Sequence, residues 1–185
     1  MRARDNNINV EGTFFVRKVG VEGVIRTWKM KVIFLDVDGV LNEEKSRSRC
    51  VGYKGIDDKK AEMLAKIVKA TDGKIVLIST WKEGWRKTDK AHQGILANYL
   101  DKKLKKQGVT VFDKTRDSAD GIYFSRGEGI LDFLQRCKAE RYVILDDYQY
   151  DYDSCGLTEC HIKTDAHAGG LTETLANKAI EILNG

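Results

Sequence analysis

Lys31-Val-Ile-Phe-Leu-Asp36-Val-Asp38-Gly39-Val-Leu-Asn42 is the stretch on which the reading of this chain turns. Val32 to Leu35 is a continuous apolar run of β-formers with no polar alternation, which is the pattern of a central strand covered on both faces. The run ends on two carboxylates and a glycine. Outward from it, apolar strand-sized runs alternate with amphipathic segments. Asp57 or Asp58 caps a helix with Ala61, Leu64, Ala65, Ile67 and Val68 on one face, and Ile75-Val-Leu-Ile is a second strand. A second helix is expected from Thr88 or Asp89 to Gln107, with Ile95, Leu96, Tyr99, Leu100 and Leu104 facing the sheet. Val109 to Phe112, Tyr142 to Leu145 and Cys160 to Lys163 read as strands, Gly129 to Cys137 and Leu171 to Leu183 as helices. The alternation predicts an α/β fold, a doubly wound Rossmann-like parallel sheet.

The 185 residues suffice for one domain with a sizeable core, expected over 30–185. Residues 1–29 read as an extension, either a short β-hairpin or sequence the core does not need. No apolar run approaches a membrane span, and Arg2, Arg4, Asp5, Asn6 and Asn7 interrupt any leader-like pattern, so a cytoplasmic location without membrane contact is expected. The four cysteines form no CxxC pair. Cys155, Cys160, His161 and His167 are close in sequence, but their spacing fits no common zinc pattern. The net charge of +4 is uneven: residues 82–106 carry eight Lys/Arg against three Asp/Glu, a face that attracts phosphates or nucleic acid or is simply solvated.

Asp36 and Asp38 end the first core strand and Asp146 and Asp147 end the fourth. Ligands of an open parallel sheet bind in the crevice outside the carboxyl ends of its strands. Two acidic pairs distant in sequence thus meet in one place. Clustered carboxylates repel one another unless a cation neutralises them, and an all-oxygen ligand set favours magnesium over zinc or copper. The bland alternative is that strand-terminal aspartates merely cap the next turn.

Phe34-Leu-Asp36-Val-Asp38-Gly39-Val-Leu-Asn42 resembles the first signature of the haloacid dehalogenase (HAD) superfamily. Ser79-Thr80-Trp81, Leu145-Asp146-Asp147 and Gly169-Gly170-Leu171-Thr172 follow in the family's order, and more narrowly the set is similar to the small capless HAD domains of RNA-repair proteins. The resemblance covers about residues 31–183. It implies a magnesium-dependent phosphatase in which Asp36 is the nucleophile and Asp38 the general acid and base, with the Asp38 backbone carbonyl also on the metal. It implies that Ser79, with Thr80 as the alternative, donates a hydrogen bond to a phosphoryl oxygen. Arg126 would stabilise the charged intermediate, with Lys138 as the weaker candidate. Asp147 would bind magnesium directly and Asp146 through water or by orienting its neighbours.

Gly39 is expected to let phosphate approach the backbone amides. Arg47 and Arg49 either grip substrate phosphate or belong to a plain polar loop. Trp81 and Trp85 either stack on a base or pack. His92 is read as structural, and Asp151 and Asp153 as solvated. Asp38 to Ser79 spans 41 residues and Ser79 to Arg126 spans 47, mostly used by elements the sheet itself needs, so no cap domain fits. An open site suits a phosphorylated substrate as bulky as a nucleic-acid end. A small phosphomonoester, a phosphoprotein, or binding of phosphorylated ends without turnover are the competing readings. The oligomeric state is not readable.

Overall fold

The computed structural model describes residues 30–116 and 124–185; the expected extension at 1–29 lies outside the described residues. Strands β1 (Met30–Leu35), β4 (Lys74–Leu77), β5 (Val111–Lys114), β6 (Ala139–Asp146) and β7 (His161–Lys163) form one sheet in the order β5-β4-β1-β6-β7. Every pairing in it is parallel. Helices α1 (Asp58–Thr71), α2 (Ile95–Lys106), α3 (Arg126–Cys137) and α4 (Glu173–Asn184) cover it, and a two-stranded hairpin, β2 (Arg49–Cys50) with β3 (Tyr53–Lys54), rises from the loop after β1. The doubly wound α/β architecture expected from the alternation is present. No cap domain stands among the described residues.

The lack of polar alternation in β1 has a direct structural counterpart. Ile33 and Leu35 join Ile75, Leu77, Val143 and Leu145 in a core under α1, α2 and α4. Val32 and Phe34 join Val76, Ile78 and Ile144 in a second core under α3, with Phe133 edge-on to Phe34 at 5.6 Å. Burying both faces leaves a strand no solvent side, and every side chain from Val32 to Leu35 is fully buried.

The differences from expectation lie at element ends. Helix α3 begins at Arg126, three residues before the expected Gly129, because Ser125 and Glu128 form a reciprocal capping box. The second helix begins at Ile95 and not at Thr88 or Asp89. Gly84 and Gly94 pair backbone to backbone at 2.9 Å, and Lys90–His92 is only a single 3-10 turn. Ile95, expected to face the sheet, is 68% exposed.

Candidate active site

Register brings the acids together. Leu35 of β1 pairs with Leu77 of β4 on one side and Leu145 of β6 on the other, so the residues that follow all leave the sheet at one level. The Asp36 N–H donates to Leu145 O at 2.9 Å and the Ile78 N–H to Leu35 O at 3.0 Å. Asp36, Ser79 and Asp146 therefore emerge side by side where the chain winds in opposite directions from β1, the crevice in which such sheets bind ligands.

Asp36, Asp146 and Asp147 each place a carboxylate oxygen within 4.8 Å of the others. Arg126 stands at the first position of α3. Its Nη1 donates to Asp36 Oδ1 and to Asp146 Oδ2, both at 2.7 Å, and its guanidinium lies 4.0 Å from the centre of the Tyr150 ring. Burial opposes the charge of Arg126, but the two carboxylates outweigh it and hold the guanidinium ionised. Burial also pushes Asp36 up to about 7; Arg126 pulls it down, while Asp146 and Asp38 add to the rise. Asp147 is likewise raised, by burial and by Asp146. One arginine does not neutralise three acids, and an all-oxygen set with this residual charge fits a hard divalent cation.

The acids divide their work. Asp146 is fully buried with both oxygens engaged, Oδ1 by the Tyr148 N–H at 2.9 Å and Oδ2 by Arg126 and the Tyr152 hydroxyl at 2.7 Å. Its oxygens are thus occupied by Arg126, Tyr148 and Tyr152. Asp147 is half-buried beside Gly39, and a Cβ on Gly39 would stand 2.1 Å from Asp147 Oδ2. Asp38 stands apart: its carboxylate is exposed and outside the three-acid group, Oδ1 accepting from Asn42 Nδ2 at 2.8 Å and Oδ2 from Trp81 Nε1 at 2.9 Å.

Several expected residues take different positions from those the sequence suggested. The Gly39 N–H donates to Asn42 Oδ1 at 2.9 Å, and the missing side chain leaves room for Asp147. Arg49 Nη1 donates to Ser46 O at 2.6 Å and Ser48 O at 2.8 Å, fastening its own loop, while Arg47 is exposed. Ser79 is buried and Thr80 exposed. Ser79 Oγ accepts the Trp81 N–H at 3.3 Å, and accepting leaves a hydroxyl its own hydrogen to donate. Lys138 sits at the far end of α3 in a left-handed C-cap, a 12-residue helix away from the acids. At ~1.5 Å per residue that separation is roughly 18 Å, which removes it as the rival of Arg126.

Asp151, read as solvated, accepts from the Gly127 N–H at 2.9 Å and from Ser125 Oγ at 2.5 Å, at the start of α3. Asp153 is exposed as expected. Trp85 packs, with its N–H 3.2 Å from Asp101 Oδ1; Trp81 packs too but also holds Asp38. His92 is exposed beside Asp89. Among the described residues no His/Cys metal group forms: Cys155 Sγ lies against Asp151, and His161 Nε2 against Asp146 O. In the basic 82–106 segment, Lys87 pairs with Asp113, Lys90 with Asp101, and Lys103 and Lys106 with Asp58, so much of its charge is balanced at the surface.

Sequence reasoning missed the supporting set of Tyr150, Tyr152, Asp151 and Thr164, whose hydroxyl donates to Gly39 O at 2.8 Å. A Tyr-rich loop was the one available signal. It does not show that a left-handed Tyr150 (φ 42°) turns the chain so that Tyr152 reaches back beneath Asp146.

Comparison with known proteins agrees with this geometry. Residues 32–176 match the family described as the HAD domain in Swiss Army Knife RNA repair proteins. The chain belongs to this family. No curated protein and no solved structure matches it. The match spans β1 through the first turn of α4 and includes Asp36, Asp38, Ser79, Arg126, Asp146 and Asp147. The family's general character is hydrolase-like, and the three-acid cluster is a group that could hold the divalent metal such domains typically use. No helix among the described residues is long and apolar enough to cross a membrane.

Proposed function

We propose that the domain is a magnesium-dependent phosphatase that hydrolyses a phosphomonoester through an aspartyl-phosphate on Asp36. The observation that carries this reading is the convergence of Asp36, Asp146 and Asp147 within 4.8 Å, with Arg126 bridging the first two. When bound, magnesium would neutralise the acids and draw the phosphoryl group toward them.

Asp36 Oδ2 attacks phosphorus and the bond to the leaving oxygen breaks; Asp38 gives that oxygen a proton. Water then attacks phosphorus, loses its proton to Asp38, and the acyl-phosphate bond opens to return the Asp36 carboxylate. Arg126 offers its charge to the phosphoryl oxygens in both steps, and Ser79 offers a hydroxyl hydrogen. Asp147 and Asp36 would hold the metal when it is bound, and Asp146 fixes Arg126.

We assign the substrate to terminal phosphates of nucleic acid. The family's description supports this, as does a site without a cap among the described residues, with exposed Tyr150 against Arg126 and exposed Tyr148 edge-on to Tyr150. Stacking on such rings is worth ~1–3 kcal/mol per base. The basic 82–106 segment adds less than its composition suggests, since four of its lysines are paired.

Hydrolysis of an aryl phosphate should require magnesium, stop in chelator, and be absent in Asp36→Asn. Phosphorylated oligonucleotides should compete. An active Asp36→Asn variant would refute the mechanism. Inert protein that still binds phosphorylated ends would leave a binding module.

A further inference from the structure

We infer that Trp81 and Asn42 are positioning residues that clamp the Asp38 carboxylate in the orientation from which it exchanges protons with the substrate. The inference rests on the phosphatase reading above and extends it to two residues outside the reacting groups.

Asp38 is exposed, and an exposed aspartate samples several rotamers unless something holds it. Here both oxygens are held from different elements. Trp81 Nε1 reaches Oδ2 from the turn after β4, and Asn42 Nδ2 reaches Oδ1 from the loop after β1. An indole nitrogen is only a donor, so Trp81 has one way to engage a carboxylate. The indole is buried, and its ring lies 6.2 Å from that of Tyr99 on α2, which fixes its tilt.

The Asn42 carboxamide is fixed as firmly. Its Oδ1 accepts the Gly39 N–H at 2.9 Å, and its Nδ2 also approaches Lys54 O at 3.4 Å. A flipped amide would set an NH2 against the Gly39 N–H and an oxygen against Asp38, so one orientation satisfies every partner. Asn42 thereby ties Asp38 to the β2–β3 hairpin, and Trp81 ties it to the turn that carries Ser79. Each carboxylate oxygen still has a lone pair for the travelling proton.

In the first step the leaving oxygen receives the electron pair of the broken P–O bond together with the Asp38 proton. In the second, Asp38 takes a proton from the attacking water as the electron pair of the Asp36–phosphorus linkage returns to the carboxylate. A misaimed Asp38 harms proton transfer and leaves substrate binding alone. An aryl phosphate, whose phenolate leaves without help, should lose mainly the second step. An alkyl phosphate, whose alkoxide needs the proton, should lose the first.

The test uses Trp81→Phe, which keeps most of the ring volume, Asn42→Ala as a second variant in case the first folds poorly, and Trp85→Phe as a buried control. Alkyl-phosphate kcat should fall at least about tenfold with KM little changed, within the ~10²–10⁴-fold reach of acid–base catalysis. With the aryl ester, rapid mixing should reveal a burst of phenolate and a phosphoenzyme that accumulates. Trp85→Phe should behave as wild type. In an Asp38→Asn background, Trp81→Phe should cost nothing further. An aryl ester that gives no burst and no accumulating phosphoenzyme, or a further loss in Asp38→Asn, would overturn the clamp and leave the phosphatase reading standing. A wild type that turns over neither ester would remove both. Independently of turnover, the Trp81 indole N–H resonance should move in Asp38→Ala while that of Trp85 stays, and an unmoved Trp81 signal would also overturn the clamp.

Discussion

Arg126 holds Asp36 and Asp146 through a single nitrogen, 2.7 Å from an oxygen of each, and so joins the ends of β1 and β6 by charge as well as by register. All three side chains are largely buried. Removing one member of such a set leaves uncompensated charge, which typically costs about 3–5 kcal/mol. Arg126→Ala should therefore unfold at markedly lower urea than wild type in chelator. Magnesium should recover part of the loss, because it replaces the missing positive charge. An unchanged unfolding midpoint would mean that Arg126 neutralises nothing.

The raised Asp36 carboxyl contributes to the pH dependence of the metal-free protein. The folded chain holds this proton up to about 7, whereas the unfolded chain releases it near 3.8. A proton bound more tightly when folded stabilises the fold in full below the lower value. That contribution is lost as pH rises through the upper one. In chelator, Asp36→Asn should thus gain on the order of 2 kcal/mol relative to wild type between about pH 5 and about pH 8. Magnesium needs the ionised carboxylate, so the rise in Tm it gives wild type should be larger at the higher pH. Thermal melts across pH with and without magnesium read both, and a magnesium effect that shrinks with pH would contradict the assignment.

Gly39 and Gly52 are both left-handed, with φ of 72° and 82°. Their surroundings differ. A Cβ at Gly39 collides with Asp147 Oδ2, whereas at Gly52 nothing lies within 4 Å. Alanine should cost roughly 1–2 kcal/mol of backbone strain at either site. Only Gly39→Ala should also displace Asp147 and weaken magnesium binding, measured by titration calorimetry. Equal magnesium affinity in the two variants would show that the space left by Gly39 is not kept for the metal ligand.

The architecture was legible in the sequence because burial on both faces writes itself as an unbroken apolar run, and each such run ends where an acid or a hydroxyl emerges. Asp36, Ser79, Asp146 and Asp147 could be located at strand ends for that reason, whereas Arg126 was reached only through the family resemblance. The helix starts were harder to read. A capping box moved α3 to Arg126, and a backbone pairing between two glycines shortened α2, both decided by local hydrogen bonds that hydrophobic periodicity does not encode. The supporting shell was not legible at all. Tyr152, Asp151 and Trp81 reach the site through tertiary contacts, and their residue types are equally at home in a solvated loop or a core.

Asp151 shows how such a residue can govern the site without entering it. It accepts hydrogen bonds from Ser125 and from the Gly127 backbone, the residues on either side of Arg126. Burial works against its charge, but these donors prevail and hold its carboxyl below the usual range. An acid at a helix N-terminus also meets the positive end of the helix dipole. Asp151→Ala should cost about 1–2 kcal/mol, the usual size of a lost cap, with most of that contribution lost from wild type as pH falls through the carboxylate range. Because the first turn of α3 aims the Arg126 side chain, kcat for an aryl phosphate should fall as well. Asp153→Ala, two residues away and exposed, should change neither quantity. Unfolding curves and steady-state kinetics on the two variants decide the matter: if Asp151→Ala loses stability but keeps its kcat, the cap supports the helix alone and Arg126 is aimed by Asp36, Asp146 and Tyr150.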